Sequence, residues 1–286
     1  MFSNLADRVV SALRRLLGMP RRLVPVTLLG HRLQVVEGTH PNEADYDDAW
    51  FLACALHAEI VVDVGANMGD MALLALLCGS VRQIVLVDPN ADALVIAGEN
   101  LIRNRMSESV RFVCAFVSDV AGAKVRFWTV GSGAAGSMYA GHAKSASRAG
   151  QSTEVPTTTL DDIAASYHLA PDLVKVDVEG AEGLVLSGAK QCASQRRTRF
   201  LVEMHSNPEL SMTANASKVL AWCAELGYSP WYLARGKRLE SAEEIKDRGR
   251  CHLLLQPADW PYPEWLVGIP QSARLELALR ETTATG

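Results

Sequence analysis

The sequence predicts an α/β domain built on a doubly wound, mostly parallel sheet. Three observations carry that prediction. From residue 60, short β-branched runs alternate with helical patterns, beginning "IVVDV", "MALLALLCG", "QIVLVD", and such repetition closes through right-handed crossovers beside a parallel sheet. The first run leads into "GANMG", a glycine-containing turn placed before an apolar helix, where open α/β sheets bind ligands. With 286 residues, 49% of them hydrophobic, the chain can bury one large core, which excludes disorder of the whole.

Residues 1–50 read as an appendage. In "MFSNLADRVVSALRRLLGMPRRLVPV", Phe2, Leu5, Val9, Leu13, Leu16 and Leu17 recur at helical spacing, with Arg8, Arg14, Arg15, Arg21 and Arg22 among them. This is the pattern of a basic amphipathic helix. It has neither the continuous apolar core of a signal peptide nor the length of a membrane span. Two uses of residues 1–25 stay open: peripheral contact with the inner face of a membrane, or packing on the domain or in a homodimer.

The core elements follow in order. After "IVVDV" come a helix over about 69–78, the strand "QIVLVD", a helix over about 91–103 and the strand "VRFVCAFVSD". "AKVRFWTV" and "STEVPTTTL" read as two strands separated by a loop rich in glycine, alanine and serine over 131–151. That loop is either a cover over substrate, carrying Ser137, Tyr139 and His142, or a surface excursion. Alternation resumes with "DLVKVDVE", a helix opening near 180, "TRFLVEMHS" and a helix over about 214–226 stopped by Gly227. Two late strands lie near "YSPWYLAR" and "CHLLLQP", after which Pro257, Pro261, Pro263 and Pro270 make the chain irregular. The domain is therefore expected over 51–258, with 259–286 a tail whose polar end frays.

Composition narrows the partners. A formal charge of −4 provides no bulk attraction to a polyanion, so nucleic acid is not an expected partner. The six cysteines, at 54, 78, 114, 192, 223 and 251, stand singly without metal-type spacing. They read as reduced core residues of a cytoplasmic protein.

The turn at the end of the first strand has the spacing G-x-x-x-G, Gly65 and Gly69, whereas a dinucleotide turn needs G-x-G-x-x-G. Asn67 stands where the middle glycine would allow a pyrophosphate to approach, and Asp63 would repel a phosphate but accept hydrogen bonds from an ammonium group. The turn suits a cationic, phosphate-free nucleoside; an ordinary tight turn is the alternative. Asp88 in "LVDPN", beside Asn90, lies where a carboxylate can accept both ribose hydroxyls. Such charge-assisted bonds contribute about 1.5–3 kcal/mol each. Asp119, after Ser118 in "FVSD", is placed to take an adenine amine or else to close a turn.

The strings "VVDVGANMGD", "VDPN", "FVSDVAG", "VPTTTLDDI", "DLVKVDVEGAE" and "FLVEMHSN", in this order and spacing, resemble the FkbM family of S-adenosylmethionine-dependent methyltransferases, over residues 60 to about 207. The resemblance implies a class I methyltransferase (Rossmann-like) fold with a seven-stranded sheet whose last strand is antiparallel. It also implies S-adenosylmethionine bound over the first two strands, and O-methylation of a sugar, glycolipid, polysaccharide or polyketide-type hydroxyl. Where the family commonly has an aliphatic or aromatic residue after the second glycine and a Glu at the ribose position, this chain has Asp70 and Asp88. The cofactor set is then Asp63, Gly65, Asn67, Gly69, Asp88, Asn90, Ser118 and Asp119.

Methyl transfer to an alcohol needs in-line alignment and a base. Asp177 and Glu179 in "KVDVEGAE", and His205 in "VEMHSN" with Glu203 on the same strand face, are the candidates. His205, neutral at pH 7 at its ordinary pKa, is the expected base, and Asp177 would orient the substrate or the imidazole. Alternatively His205 bonds a neighbouring loop, and Asp177, Glu179 and Glu182 complement a helix dipole. The same carboxylates with His205 could bind a divalent cation, though no spacing demands it. The rival functions are an NAD(P)-dependent oxidoreductase and a non-catalytic nucleoside-binding module.

Overall fold

The computed structural model describes residues 20–39, 48–129, 136–138 and 152–280. A hairpin of β1 (Leu23–Leu28) and β2 (His31–Val36) precedes helix α1 (Asp48–Ala55). Alternation follows through β3 (Ile60–Val64), α2 (Asp70–Leu77), β4 (Gln83–Val87), α3 (Ala91–Arg103) and β5 (Val110–Val113). Then come β6 (Phe116–Val117), β7 (Lys124–Trp128), β8 (Ser152–Thr158), α4 (Leu160–Ser166) and β9 (Leu173–Val176). The chain continues through α5 (Glu182–Ser187), α6 (Lys190–Ser194), β10 (Arg199–His205), α7 (Met212–Leu226), β11 (Tyr228–Tyr232), β12 (Lys237–Arg238), β13 (Arg250–Pro257) and α8 (Leu275–Arg280). The expected basic helix at the amino terminus, Tyr139, His142 and the last polar residues lie outside the described residues.

The main sheet has the order β12-β11-β13-β10-β9-β3-β4-β5. Strands β5, β4, β3, β9 and β10 run parallel, and β13 lies antiparallel between β10 and β11. The first strand of this alternation, β3, is central, with β4 on one side and β9 on the other. The strand order reverses there, which opens a crevice at the carboxyl ends of β3, β4 and β9. The last strand is antiparallel, as expected, but the sheet has eight strands rather than seven because the two-residue β12 adds an edge. "VRFVCAFVSD" is also not one strand. It breaks after Val113, and its second part, β6, joins β8 and β7 in a separate three-stranded sheet.

Alternate residues of each central strand feed opposite faces. Val61, Ile84, Leu86 and Leu173 pack beneath α1, α2 and α3, whereas Val62, Val85, Val174 and Phe200 pack beneath α4, α5, α6 and α7. Burial on both faces explains why these strands read as nearly continuous apolar runs. All of α1 is buried, and Trp50 Nε1 donates to Ile269 O at 2.9 Å, so the segment after β13 packs against the domain. All six cysteines are free; Cys78 is half-buried and Cys114 exposed, so these two are not the core residues expected. No helix among the described residues is long and apolar enough to cross a membrane.

The hairpin β1–β2 was not legible beforehand, and one buried side chain fastens it. Asn100 of α3 is fully buried; its Oδ1 accepts from Val36 N at 2.7 Å, and its Nδ2 donates to Thr39 Oγ1 at 2.9 Å and to Met68 O at 3.1 Å. It therefore joins the hairpin to the glycine turn. Asn100→Ala leaves a buried N–H and carbonyl without partners and is expected to lower unfolding stability by about 2–4 kcal/mol in urea denaturation; a change within about 0.5 kcal/mol, the range of an ordinary surface substitution, would show that the hairpin is held by other contacts.

Candidate active site

The turn between β3 and α2 is held in left-handed backbone: φ is 90° at Gly65, 45° at Asn67 and 79° at Gly69. Glycine is required at the first for a second reason, since a Cβ on Gly65 would lie 1.8 Å from the carbonyl oxygen of Asp177. Asn tolerates this conformation better than most residues, which accounts for Asn67. Four N–H groups of the turn donate within the protein. Gly65 N and Ala66 N donate to Val87 O at 2.8 and 3.1 Å, Asn67 N to Asp88 Oδ2 at 2.9 Å, and Gly69 N to Ala66 O at 2.9 Å. A pyrophosphate would have to break these bonds, so the geometry disfavours a dinucleotide.

Asp88 ends β4 at the cavity wall. Its Oδ1 accepts from Asn90 N at 2.7 Å, so its two oxygens tie together the turns after β3 and β4. Burial raises its pKa to about 6, against the opposing effect of those two backbone hydrogen bonds. A carboxylate offers roughly four acceptor positions, so further donors can be received. Asn90 also lines the wall and caps α3, its Oδ1 accepting from Asp92 N at 3.1 Å. Beside Asp88, Ala115, Phe116, Val117 and Phe127 form an apolar wall that the motifs did not indicate. Ser118 and Asp119 are not brought to this cavity: Ser118 Oγ donates to Asp119 Oδ1 at 2.9 Å, and Asp119 is exposed.

Asp63 lies behind the turn, 1% exposed, and neither carboxylate oxygen accepts a hydrogen bond. It pairs in register with Lys175 on β9. Burial raises the Asp63 pKa to about 7, with Lys175 opposing the rise and Asp70, Asp177 and Asp88 adding to it.

The other end of the cavity is acidic, lined by Asp177, Glu179, Glu203, Asp70, Lys175 and Arg250. Polar residues alternate with valine in "VKVDVE" and with apolar residues in "VEMH", so the last turns of β9 and β10 direct charged side chains to one sheet face. Lys175 Nζ lies 3.1 Å from Asp177 Oδ2, and Arg250 Nε 3.0 Å from Glu203 Oε1. Glu179 holds a left-handed φ of 54°, a strained conformation for a residue with a Cβ. Ser137 donates from Oγ to the Glu179 carbonyl at 3.0 Å, which places this described part of the serine-rich loop against the site.

His205 is 5% exposed and does not line the cavity itself. Its Nδ1 is 2.9 Å from Oε1 of the fully buried Glu182, while Nε2 faces Glu203 at 3.5 Å, Glu179 at 3.7 Å and Asp177 at 3.9 Å. Burial alone would lower the imidazole pKa. The contacts with Glu182 and Glu203, and the charges of Asp177 and Glu182, outweigh it and raise the pKa well above the ordinary value. Burial would likewise raise the Glu203 carboxyl, but His205, His252 and Lys175 hold it below the usual carboxylate range. In the protein alone the imidazole is thus cationic rather than the neutral base expected from its ordinary pKa. Three tryptophans of the late region, whose faces could stack on a sugar, do not line this cavity. Trp260 and Trp265 flank Arg199 at the start of β10, at 4.4 and 5.5 Å, and Trp231 packs on Tyr262.

The Asp63 shift fixes a pH dependence. Because the folded-state pKa lies above the unfolded value near 3.9, the folded protein binds the proton more tightly, and the Asp63 contribution to stability falls as pH rises from about 4 to about 7. Relative to the native chain, Asp63→Asn should gain about 2–3 kcal/mol between pH 5 and pH 8 in paired urea denaturations. A pH-independent difference would contradict this reading of the buried carboxyl.

The Methyltransferase FkbM domain family matches residues 63–230. No curated protein matches the chain. Among solved structures, a methyltransferase FkbM from Methylobacillus flagellatus KT is 17% identical, with a TM-score of 0.43 over 69% of this chain and 43% of that one. The chain thus spans under half the length of that structure. A SAM-dependent methyltransferase from Agrobacterium tumefaciens is 12% identical, with a TM-score of 0.46 over 83% of this chain and 71% of that one. TYW2 from M. jannaschii, in complex with AdoMet, is 10% identical, with a TM-score of 0.41 over 82% and 85%. With more than half of its residues matched and its glycine turn, Asp88 and acidic strand ends gathered around one cavity, the chain belongs to the FkbM family of S-adenosylmethionine-dependent methyltransferases.

Proposed function

We propose that the protein transfers a methyl group from S-adenosylmethionine to a hydroxyl oxygen of a sugar, glycolipid or polyketide-type acceptor. The observation that carries this reading is the continuity of one cavity from Gly65, Asp88 and the phenylalanine wall to Asp177, Glu179 and Glu203. The first half fits the cofactor. Asp88 has acceptor capacity for ribose hydroxyls, and Phe116 and Phe127 offer apolar surface to an adenine, whereas Asp63, buried behind the turn, supports the turn without lining the cavity.

When bound, the cofactor supplies a methyl group activated by a sulfonium. The work of the chain is to align the acceptor oxygen and remove its proton. The C–O bond forms as the C–S bond breaks, and the hydroxyl proton passes to a carboxylate at the acidic end. Glu179 is the residue we assign to that proton: it lines the cavity, its side chain is 25% exposed, and its strained backbone is braced by Ser137. Asp177, also in the wall and tied to Lys175, orients the acceptor. His205, fastened to Glu182 and faced by carboxylates, arranges those carboxylates and is not the base.

Calorimetry and product analysis test the reading. S-adenosylmethionine should bind and NAD should not, and Asp88→Ala should weaken binding by about 10- to 100-fold. With methyl-labelled cofactor and a panel of free sugars, lipid-linked sugars and polyketide alcohols, at least one acceptor should gain label on oxygen. Glu179→Gln should then lower kcat by roughly 10²- to 10⁴-fold without changing cofactor affinity. Binding of NAD alone would favour the oxidoreductase, and cofactor binding with no labelled acceptor would favour a non-catalytic module.

A further inference from the structure

We propose that Asp177, Glu203 and His205 form a site for one divalent metal ion at the acceptor end of the cavity. The proposal rests on the methyltransferase reading of that cavity and deepens it, because it assigns how an acceptor oxygen would be made reactive. One carboxylate oxygen from each acid and one imidazole nitrogen lie within 4.8 Å of one another. Nε2 of His205 is 3.5 Å from Glu203 Oε1 and 3.9 Å from Asp177 Oδ1. Ligands at about 2.1 Å around an octahedral ion are separated by about 3 Å when adjacent, so Glu203 Oε1 and Asp177 Oδ1 would draw in toward Nε2 by about 0.5–1 Å to share one ion.

Independent features point the same way. Glu203 is 5% exposed, lies in the cavity wall, and its Oε1 accepts no hydrogen bond; the nearest cation is Arg250 Nε at 3.0 Å. The far side of the imidazole is built as metal-ligating histidines are built. Nδ1 meets Glu182 Oε1, and Glu182 is itself fixed by Gly180 N at 3.0 Å and Asn215 Nδ2 at 2.7 Å. Asn215 Nδ2 also donates to the His205 carbonyl at 2.9 Å, so ring and backbone are oriented together with Nε2 turned to the acids. The charges are consistent with an ion. Asp177, Glu179, Glu182 and Glu203 surround His205; Lys175, Arg250 and the cationic imidazole compensate three of the four, and an ion that displaces the imidazole proton meets two uncompensated negative charges.

Two carboxylates with one imidazole suit a divalent ion that takes oxygen and nitrogen together, such as Mn²⁺. Three protein ligands leave positions for acceptor oxygens, and a coordinated hydroxyl loses its proton more readily. Glu179, 3.7 Å from Nε2, is close enough to receive that proton. The imidazole gives up its Nε2 proton to solvent on becoming a ligand.

The test uses the intact chain after removal of metals with a chelator, Mn²⁺ as the probe, and electron paramagnetic resonance of the free ion as the readout. One site per chain is expected, weakened roughly tenfold or more in Glu203→Gln and in Asp177→Asn. Circular dichroism confirms that each variant is folded, and S-adenosylmethionine calorimetry runs on the same samples. Mn²⁺ remaining free at millimolar concentration beside the native chain, or bound equally by both folded variants, overturns the metal site. Cofactor binding without Mn²⁺ binding would refute this inference alone. Mn²⁺ binding without cofactor binding would uphold it and refute the methyltransferase reading.

Discussion

The carbonyl oxygen of Asp177 sits where a side chain on residue 65 would be. A Cβ there would approach it to 1.8 Å, and Asp177 N donates to Val64 O at 2.9 Å, so the ends of β3 and β9 meet through backbone alone. This contact joins the two halves of the cavity. On one side the turn continues through Asn67 to Asp88; on the other, the chain leaves Asp177 for Glu179 and the helix behind it. Any residue but glycine at position 65 would push the glycine turn away from the acidic strand ends, and the donor and acceptor halves would no longer share one space.

The second constraint is electrostatic. Charged side chains on a buried sheet face cost several kcal/mol each unless they are paired. Here most are paired, Lys175 with Asp177 along the end of β9, Glu203 with Arg250 and His252 across β10 and β13, and His205 with Glu182, while Asp63, beside Lys175 in register, is left without a hydrogen bond. The network is tolerated because it stands where the strands end and the cavity begins. The same residues placed one turn earlier would face α1 and the apolar core. The arrangement gives the acceptor end its chemistry, whether a carboxylate takes the proton directly or acts with a cation.

Much of the frame was legible because physical periodicity wrote it. The doubly buried strands "IVVDV", "QIVLV" and "LVKV" are apolar on both faces, and Gly65, Gly69 and Gly227 stand at turns with positive φ. The interruptions of that apolar pattern, Asp63, Asp177, Glu179, Glu203 and His205, fall at the strand ends, with Asp177, Glu179 and Glu203 in the cavity wall and Asp63 and His205 behind it. What could not be read was how they face one another. The state of His205 depends on Glu182, 23 residues away and behind the strand. The hairpin β1–β2 depends on Asn100, whose helix position looks like any polar residue. Phe116 and Phe127 belong to a strand break and a separate small sheet, which a local pattern of β-branched residues does not distinguish from one continuous strand.

The central claim is that donor and acceptor occupy opposite ends of one cavity joined at Gly65 and Asp177. A crystal structure of the chain with S-adenosylhomocysteine tests it most directly. The account predicts ribose hydroxyls on Asp88, the adenine against Phe116 and Phe127, and the sulfur directed toward Asp177 and Glu179. A nucleoside bound elsewhere, or one whose sulfur points away from the acidic strand ends, would contradict it.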